Sequence, residues 1–206
     1  MSATVVAIEF DQASALIGRE ITNSVEIALV RALNHGATKS RTKAARAARQ
    51  QVAFPASYVS PSAKRLWVKT RARRGAFETI IEGRGTPTSL ARFTKQGVLS
   101  GGRRHRGGKV NVMVKPGQTK SISRAFLIKL KNNNVGLAIR TSGEKPRGAY
   151  KPKAIGKNLW LLYGPSVDQA LVAASKEGGI FDEMTPEVLE IVEVEFNRQL
   201  ELLENG

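Results

Sequence analysis

The chain has few side chains of the types that carry out catalysis. It contains two histidines, His35 and His105, and no cysteine. The first lies in a helical pattern and the second in an Arg/Gly-rich run, so each is best explained as a solvated side chain. Residues 102–109 resemble a phosphate-binding loop at first sight. However, Lys109 is followed by Val110, so the Gly-Lys-Ser/Thr ending of that motif is missing.

The carboxylates also argue against an active site. Glu78 and Glu82 lie within a strand pattern in an otherwise acid-free body, where they are better read as cross-strand partners of Arg or Lys. Without cysteine, neither disulfides nor thiolate metal sites are available. We therefore expect no enzymatic activity, no metal ion and no cofactor.

Charge is the strongest chemical signal in the sequence. The formal net charge of the 206-residue chain is +16. Residues 27–77 and 83–143 contain no acid, whereas residues 177–204 carry nine acids against Arg198 alone. A basic surface of this kind attracts a polyanion, most simply nucleic acid. No run is long and apolar enough for a membrane span, and the N-terminus lacks a secretory pattern, so we expect a soluble protein.

One long helix over residues 21–50 is predicted to organise the chain. Its first half carries an apolar stripe of Val25, Leu29 and Leu33, while its second half combines alanine with positive charge. The first half is expected to pack on the core and the second to carry cations outward, with a possible bend at Gly36. The candidate basic face, for DNA or a neighbouring subunit, is Arg41, Lys43, Arg46 and Arg49.

The remaining patterns predict an α+β fold in one domain, 1–206, with the long helix packed on an antiparallel or mixed sheet. A strand or arm is expected within residues 1–20, a hairpin over 64–82, and strands over 109–115, 123–130 and 135–141. Residues 132–134 are expected to form a turn between the last two strands, and residues 143–156 read as a Pro, Gly and Lys loop. Phe54 and Tyr58 are expected to fix the connector after the long helix to the core, and Ser166 is expected to cap a short helix. Residues 94–109, rich in Arg, Lys and Gly, are expected to form a flexible basic loop. Its candidate DNA-facing residues are Arg103, Arg104, Arg106 and Lys109.

Two further candidate surfaces lie near the C-terminus. The apolar run Leu159, Trp160, Leu162 and Tyr163 exceeds what a short connection needs, so it is a candidate contact with another subunit or a partner protein. An acidic helix is expected over 185–203, with Thr185 and Pro186 as its first residues and Leu189 on its apolar face. Its acids Glu187, Glu190 and Glu193 either face the basic row of another subunit or stay in water while the helix packs on its own chain.

Four segments, in order, resemble phage minor tail protein Z, a tail completion family. They are Arg31 to Asn34 with Ala37, Arg41 and Thr42; 87–93 (PTSLARF); 123–127 (SRAFL), where relatives have a small residue in place of Arg124; and 162–167 (LYGPSV), followed by Asp168 and Gln169. The resemblance covers about residues 24–203 and excludes 1–20 and 175–185.

The resemblance implies a structural virion protein at the head-proximal end of a phage tail. Related proteins form a ring, usually of six copies, stacked on the tail tube or terminator protein and joined to the head connector around the DNA channel. We therefore expect a homo-oligomer that contacts these proteins and double-stranded phage DNA, and no membrane. The alternative from composition is a sequence-nonspecific nucleic-acid-binding protein of ribosomal or nucleoid type.

Overall fold

The computed structural model describes residues 4–9, 23–96, 108–148, 150–175 and 180–205, and it confirms the α+β class. The helices are α1 Asn23–Gln51, α2 Val167–Ala174 and α3 Ile180–Glu204. The strands are β1 Thr4–Glu9, β2 Leu66–Thr70, β3 Glu78–Gly83, β4 Thr88–Ser89, β5 Lys109–Lys115, β6 Gln118–Ser123, β7 Ala125–Lys129, β8 Val135–Arg140, β9 Lys151–Gly156 and β10 Leu159–Gly164. Every strand pair among these is antiparallel.

The strands form three sheets instead of the one central sheet expected. The order β1-β3-β2 makes a three-stranded sheet, and β5-β6 makes a two-stranded one. In the third sheet β10 is central, flanked by β9 on one side and by β8 and β4 on the other, with β7 beyond β8. The predicted hairpin is confirmed as β2–β3, and Lys69 Nζ lies 3.0 Å from a Glu82 carboxylate oxygen, the cross-strand pairing expected of Glu82.

Helix α1 runs unbroken through Gly36, and both of its halves are buried on one side. Leu29, Ala32 and Leu33 belong to one apolar cluster, as the stripe predicted. The expectation for the second half was right only in part. Arg46 and Arg49 are exposed, but Ala44, Ala45 and Ala48 lie in the main core with residues of all three sheets. Alanine favours the helix and also lets neighbouring strands approach its backbone closely, so the Ala-rich half serves as core.

Helix α3 packs along α1 of the same chain. Val188 and Val192 are buried, and Phe196 packs against the cluster around Leu33. Leu189, expected on the apolar face, is instead 45% exposed.

The helix begins at Ile180, ahead of the predicted start at residue 185, and it continues through Pro186. A proline is favoured in the first turn because its missing amide costs nothing there, and that preference misplaced the boundary.

Two other segments differ from their predictions. Residues 151–156 form β9, paired with β10, although Pro, Gly and Lys had indicated a loop. Residues 118–123 form β6, a mostly exposed polar strand with no alternating pattern to reveal it. The predicted strand 123–130 accordingly divides at Arg124, where φ is +59°.

The connector after α1 is fixed to the core as expected. Phe54 and Tyr58 are buried and stacked, with ring centroids 5.3 Å apart. Leu90 and Phe93 are buried beside them. Helix α2 begins as predicted at its Ser166 cap, whose hydroxyl accepts from the Gln169 amide while the Gln169 side chain accepts from the Ser166 amide.

Candidate functional site

The structure does not assemble the chain's histidines and acids into a site. Among the described residues no group of three or more His, Asp or Glu side chains is placed to hold a metal ion. His35 is exposed on α1, and His105 lies outside the described residues. The candidate sites among the described residues are therefore surfaces.

Arg41 is not available to DNA, so its assignment to the basic face was wrong. Its side chain is buried, its Nε donates to the Leu66 carbonyl at 3.1 Å, and its guanidinium also donates to the Val59 carbonyl. Burial lowers the pKa of Arg41 from its ordinary value by desolvation. The side chain thus joins α1 to the chain around β2 as part of the interior.

The other three members of the basic face differ among themselves. Lys43 has 17% of its side chain exposed and forms an ion pair with Glu187 of the same chain. Arg46 is exposed, and Arg49 is exposed with its Nε donating to the Phe54 carbonyl at 3.2 Å. Arg46 and Arg49 therefore remain as outward cations on this helix.

Of the predicted basic loop, the structure describes the two ends. Arg103, Arg104 and Arg106 lie outside the described residues. Lys109 is the exposed first residue of β5 and pairs with Ser123. At the other end the Gln96 side-chain oxygen accepts from the Asn111 amide at 2.7 Å, which holds residues 94–96 against β5.

The apolar run on β10 divides into core and surface. Leu162 is fully buried in the main core, so its assignment to an interface was wrong. Leu159, Trp160 and Tyr163 are partly exposed. Trp160 donates its indole N–H to the Thr141 hydroxyl at 3.2 Å. These three residues keep their place as a candidate contact surface.

The acidic row lies on the exposed side of α3. Glu187, Glu190 and Glu193 are all exposed. The pairing of Glu187 with Lys43 occurs within one chain and needs no second subunit. A contact between another copy and Glu190 or Glu193 stays a prediction.

A polar network behind this row, with Gln199 buried and Glu195 partly buried, was missed. Glu195 accepts from Arg198 Nε at 2.9 Å and Nη2 at 2.7 Å, and from Gln199 Nε2 at 2.8 Å. The bonds from Arg198 are the main reason that the pKa of Glu195 falls to about 2. Gln199 in turn accepts from Arg31 Nη1 at 3.0 Å, so the network joins α3 to α1.

A cluster of cations was also missed because distant segments supply it. Arg124, Arg140, Lys145 and Arg147 line an open cleft of about 590 Å³, which we call the basic cleft. Glu144 also lines the basic cleft. Pairing of the predicted strands across the turn at 132–134 could have placed Arg124 opposite Arg140. Both arginines lie in the acid-free run 83–143.

Two of the four family-like segments meet in space. Thr88 pairs with Gly164 and Ser89 with Tyr163, so 87–93 and 162–167 share one antiparallel bridge. The Gly164 backbone is so close to Leu90 that an added Cβ would lie 2.9 Å from the leucine Cδ2. Leu162, Val167 and Leu90 are all buried there. We call this contact the β4–β10 junction.

Within the described part of the chain, none of the helices combines the length and apolar character needed to cross a lipid bilayer. Comparison with known proteins gives no family model, no curated protein and no solved structure that matches this chain.

Proposed function

We propose that this chain is a structural component of a phage virion that completes the tail at its head-proximal end. In this proposal the protein acts without catalysis. Several copies form a ring stacked on the tail tube or terminator protein, joined to the head connector around the DNA. The six-copy state is what the family resemblance implies.

The observation that carries the proposal is the β4–β10 junction. Segments 87–93 and 162–167 carry much of the resemblance, and they are some 70 residues apart in sequence. The two segments pair with each other, and their Leu90, Leu162 and Val167 are buried. This supports a scaffold shared with the family, in which the residues that resemble the family are the ones that pack together. Neither segment contains a histidine or a carboxylate that could serve as a base for its hydroxyl groups, which supports an architectural role.

The distribution of charge also supports a protein that binds copies of itself and nucleic acid. Exposed acids follow α3, whereas exposed cations such as Arg46, Lys129 and Lys153 lie on α1 and the β-sheets. Opposite charge on different faces of one chain favours head-to-tail association, because each copy presents both partners.

A second candidate function is that of a sequence-nonspecific nucleic-acid-binding protein outside a virion. The basic cleft favours it, since clustered arginine side chains suit phosphate groups. The two functions differ in what they require of the molecule. A ring component needs two complementary faces, whereas a nucleic-acid binder needs mainly one basic face.

The test is to delete the gene from the phage that carries it and examine lysates by electron microscopy. We expect full heads and separate tails that fail to join, with joining restored by the full-length gene supplied in trans. Class averages of the purified protein should show a closed ring with rotational symmetry. Normal particles in the absence of the gene would overturn the proposal and leave the nucleic-acid-binding function as the better account.

A further inference from the structure

We infer that the basic cleft is a binding site for the phosphate backbone of nucleic acid. The inference is independent of ring formation, because the described part of one chain supplies every group it uses. Four cationic side chains, all exposed, line the cleft.

Two of these cations lie next to each other across the end of a sheet. Ala125 of β7 pairs with Ile139 of β8. Arg124 precedes Ala125 and Arg140 follows Ile139, so the two arginines occupy facing positions at the end of this strand pair. Like charges at facing positions destabilise a sheet unless an anion lies between them. A phosphate group would remove that repulsion, and a guanidinium can bind it through two parallel hydrogen bonds.

The backbone at Arg124 favours a smaller residue than the arginine it holds. Its φ of +59° lies in the left-handed region, where glycine and asparagine are the usual occupants. Asn133, Asn158 and Lys64 occupy this region elsewhere in the chain. Arg124 differs from Lys64 because it lines a cleft together with other cations, and the conformation and the cleft together point to a function for its side chain.

The wall of the cleft opposite Arg124 is held in place before any ligand arrives. The Thr141 amide donates to the Asn158 carbonyl at 2.9 Å, and the Thr141 hydroxyl accepts from Trp160. The Tyr150 hydroxyl donates to the Arg147 carbonyl at 2.8 Å. These bonds hold the start of the 141–147 segment against Asn158 and Trp160 and join Arg147 to Tyr150, which reduces the ordering that binding there requires.

The one acid of the cleft offers weak competition to a phosphate. The Glu144 carboxylate lies 4.0 Å from Arg147 Nη2, and both side chains are almost fully exposed. Such a surface pair contributes little and is screened by salt. Because four cations line the cleft, the ligand that fits it is a chain of closely spaced phosphates, which can contact several of these cations at once.

The test compares two substitutions that make the same backbone and charge change in different places. Arg124→Gly removes a cation of the cleft, and Lys64→Gly removes an exposed cation that also has a positive φ, 49°, away from it. Glycine relieves both backbones, so both variants should melt at or above the wild-type temperature. Fluorescence anisotropy then measures binding of duplex DNA of arbitrary sequence over a salt series.

We expect Arg124→Gly to weaken DNA binding about tenfold and to lower the slope of log Kobs against log salt by about one, equally for unrelated sequences. Lys64→Gly should change neither quantity appreciably. Equal losses in both variants, or no loss in either, would overturn the site.

A second matched pair keeps the test decisive if a glycine variant folds poorly. Arg140→Gln changes the cleft, and Lys129→Gln changes an exposed cation at the far end of the same β7–β8 ladder. Loss of binding confined to Arg140→Gln supports the cleft, and equal behaviour rejects it. Free tripolyphosphate distinguishes the source of the phosphates. It should displace labelled DNA only at a far higher phosphate concentration than unlabelled DNA does. Displacement by tripolyphosphate at the lower phosphate concentration would overturn the assignment to nucleic acid.

Discussion

Gly36 lets α1 and α3 approach each other more closely than any residue with a Cβ would permit. A Cβ built at this position overlaps the Cγ2 of Val192. In an exposed helix Gly36→Ala would stabilise the protein by about 1 kcal/mol through helix propensity. Here the overlap opposes that gain, and the sign of the change reports which effect is larger.

We predict that Gly36→Ala lowers the free energy of unfolding by about 1–3 kcal/mol, measured by urea denaturation. Adding Val192→Ala should give back part of this loss, since it removes the overlapping methyl group. Lys39→Ala, an exposed change on the same helix, serves as the control and should stay within about 0.5 kcal/mol of wild type. A stabilising Gly36→Ala would mean that the helices are not in close contact at this point.

Arg41 and Arg46 show how one residue type has two roles on one helix. Arg41→Met should lower the free energy of unfolding by about 2–3 kcal/mol, because it leaves the carbonyls of Val59 and Leu66 without their charged donor. The exposed Arg46→Met should cost less than about 0.5 kcal/mol. Chemical denaturation of the two variants measures the difference. An equal loss of unfolding free energy in the two variants would mean that Arg41 is exposed, as the sequence predicted.

At the scale of elements, the α1–α3 contact depends on pH through Glu195. Its pKa is about 2 in the folded protein and ordinary in the unfolded chain, so the folded state is favoured where the carboxylate is ionised. That contribution is fully present above the unfolded pKa and is lost as pH falls toward 2.

We predict that Glu195→Gln lowers the free energy of unfolding by about 1 kcal/mol at pH 7, since it removes the charge that Arg198 pairs with. The gap between variant and wild type should close as pH falls from about 4.5 to 2. Urea midpoints measured across this range give the result. A gap that stays constant with pH would show that the carboxylate charge is not what stabilises the contact.

The sequence predicted elements well where burial leaves a periodic pattern. The stripe of α1, the alternation of β5 and the Ser166 cap were all placed correctly. Prediction failed where pairing with a neighbour decides the structure. β6 and β9 are largely exposed, so their strand conformation comes from hydrogen bonds to β5 and β10 and leaves no alternation in the sequence.

The candidate surfaces were harder to predict than the elements, because charge in a sequence does not say which side chains reach solvent. Arg41 lies one helical turn from both exposed and buried neighbours, and it is buried where α1 packs against β2 and the connector around Val59. The basic cleft required knowledge of the β7–β8 register and of the loop that follows it. The spacing of residue types along the sequence gives no information on that register or on the position of that loop.

At the scale of the whole molecule, Glu190 and Glu193 of the acidic row are the proposed contact with another copy. The reversal Glu190→Lys with Glu193→Lys should leave the free energy of unfolding within about 0.5 kcal/mol of wild type, because both residues are exposed. It should slow oligomer assembly at low salt, where charge steers the encounter of copies. Light scattering over time at several salt concentrations gives the rates.

Glu187→Lys is the matched control, since its partner Lys43 belongs to the same chain. It should lower the free energy of unfolding by at most about 1 kcal/mol, and Lys43→Glu in the same molecule should restore that loss at any protein concentration. If the Glu190 and Glu193 reversals assembled at the wild-type rate in low salt, the acidic row would have no part in joining copies.

Strand β9 limits the ways in which such copies can associate. Among the described strands it is bonded to β10 alone, so its other edge faces outward. Pro152 removes one backbone donor from that strand, and the exposed Lys151 and Lys153 repel an incoming strand of the same sequence. Strand addition, the usual route to domain swapping and fibrillar aggregates, is disfavoured at this edge. The protein can therefore be held at the high local concentration of an assembling particle without polymerising into fibres through β9.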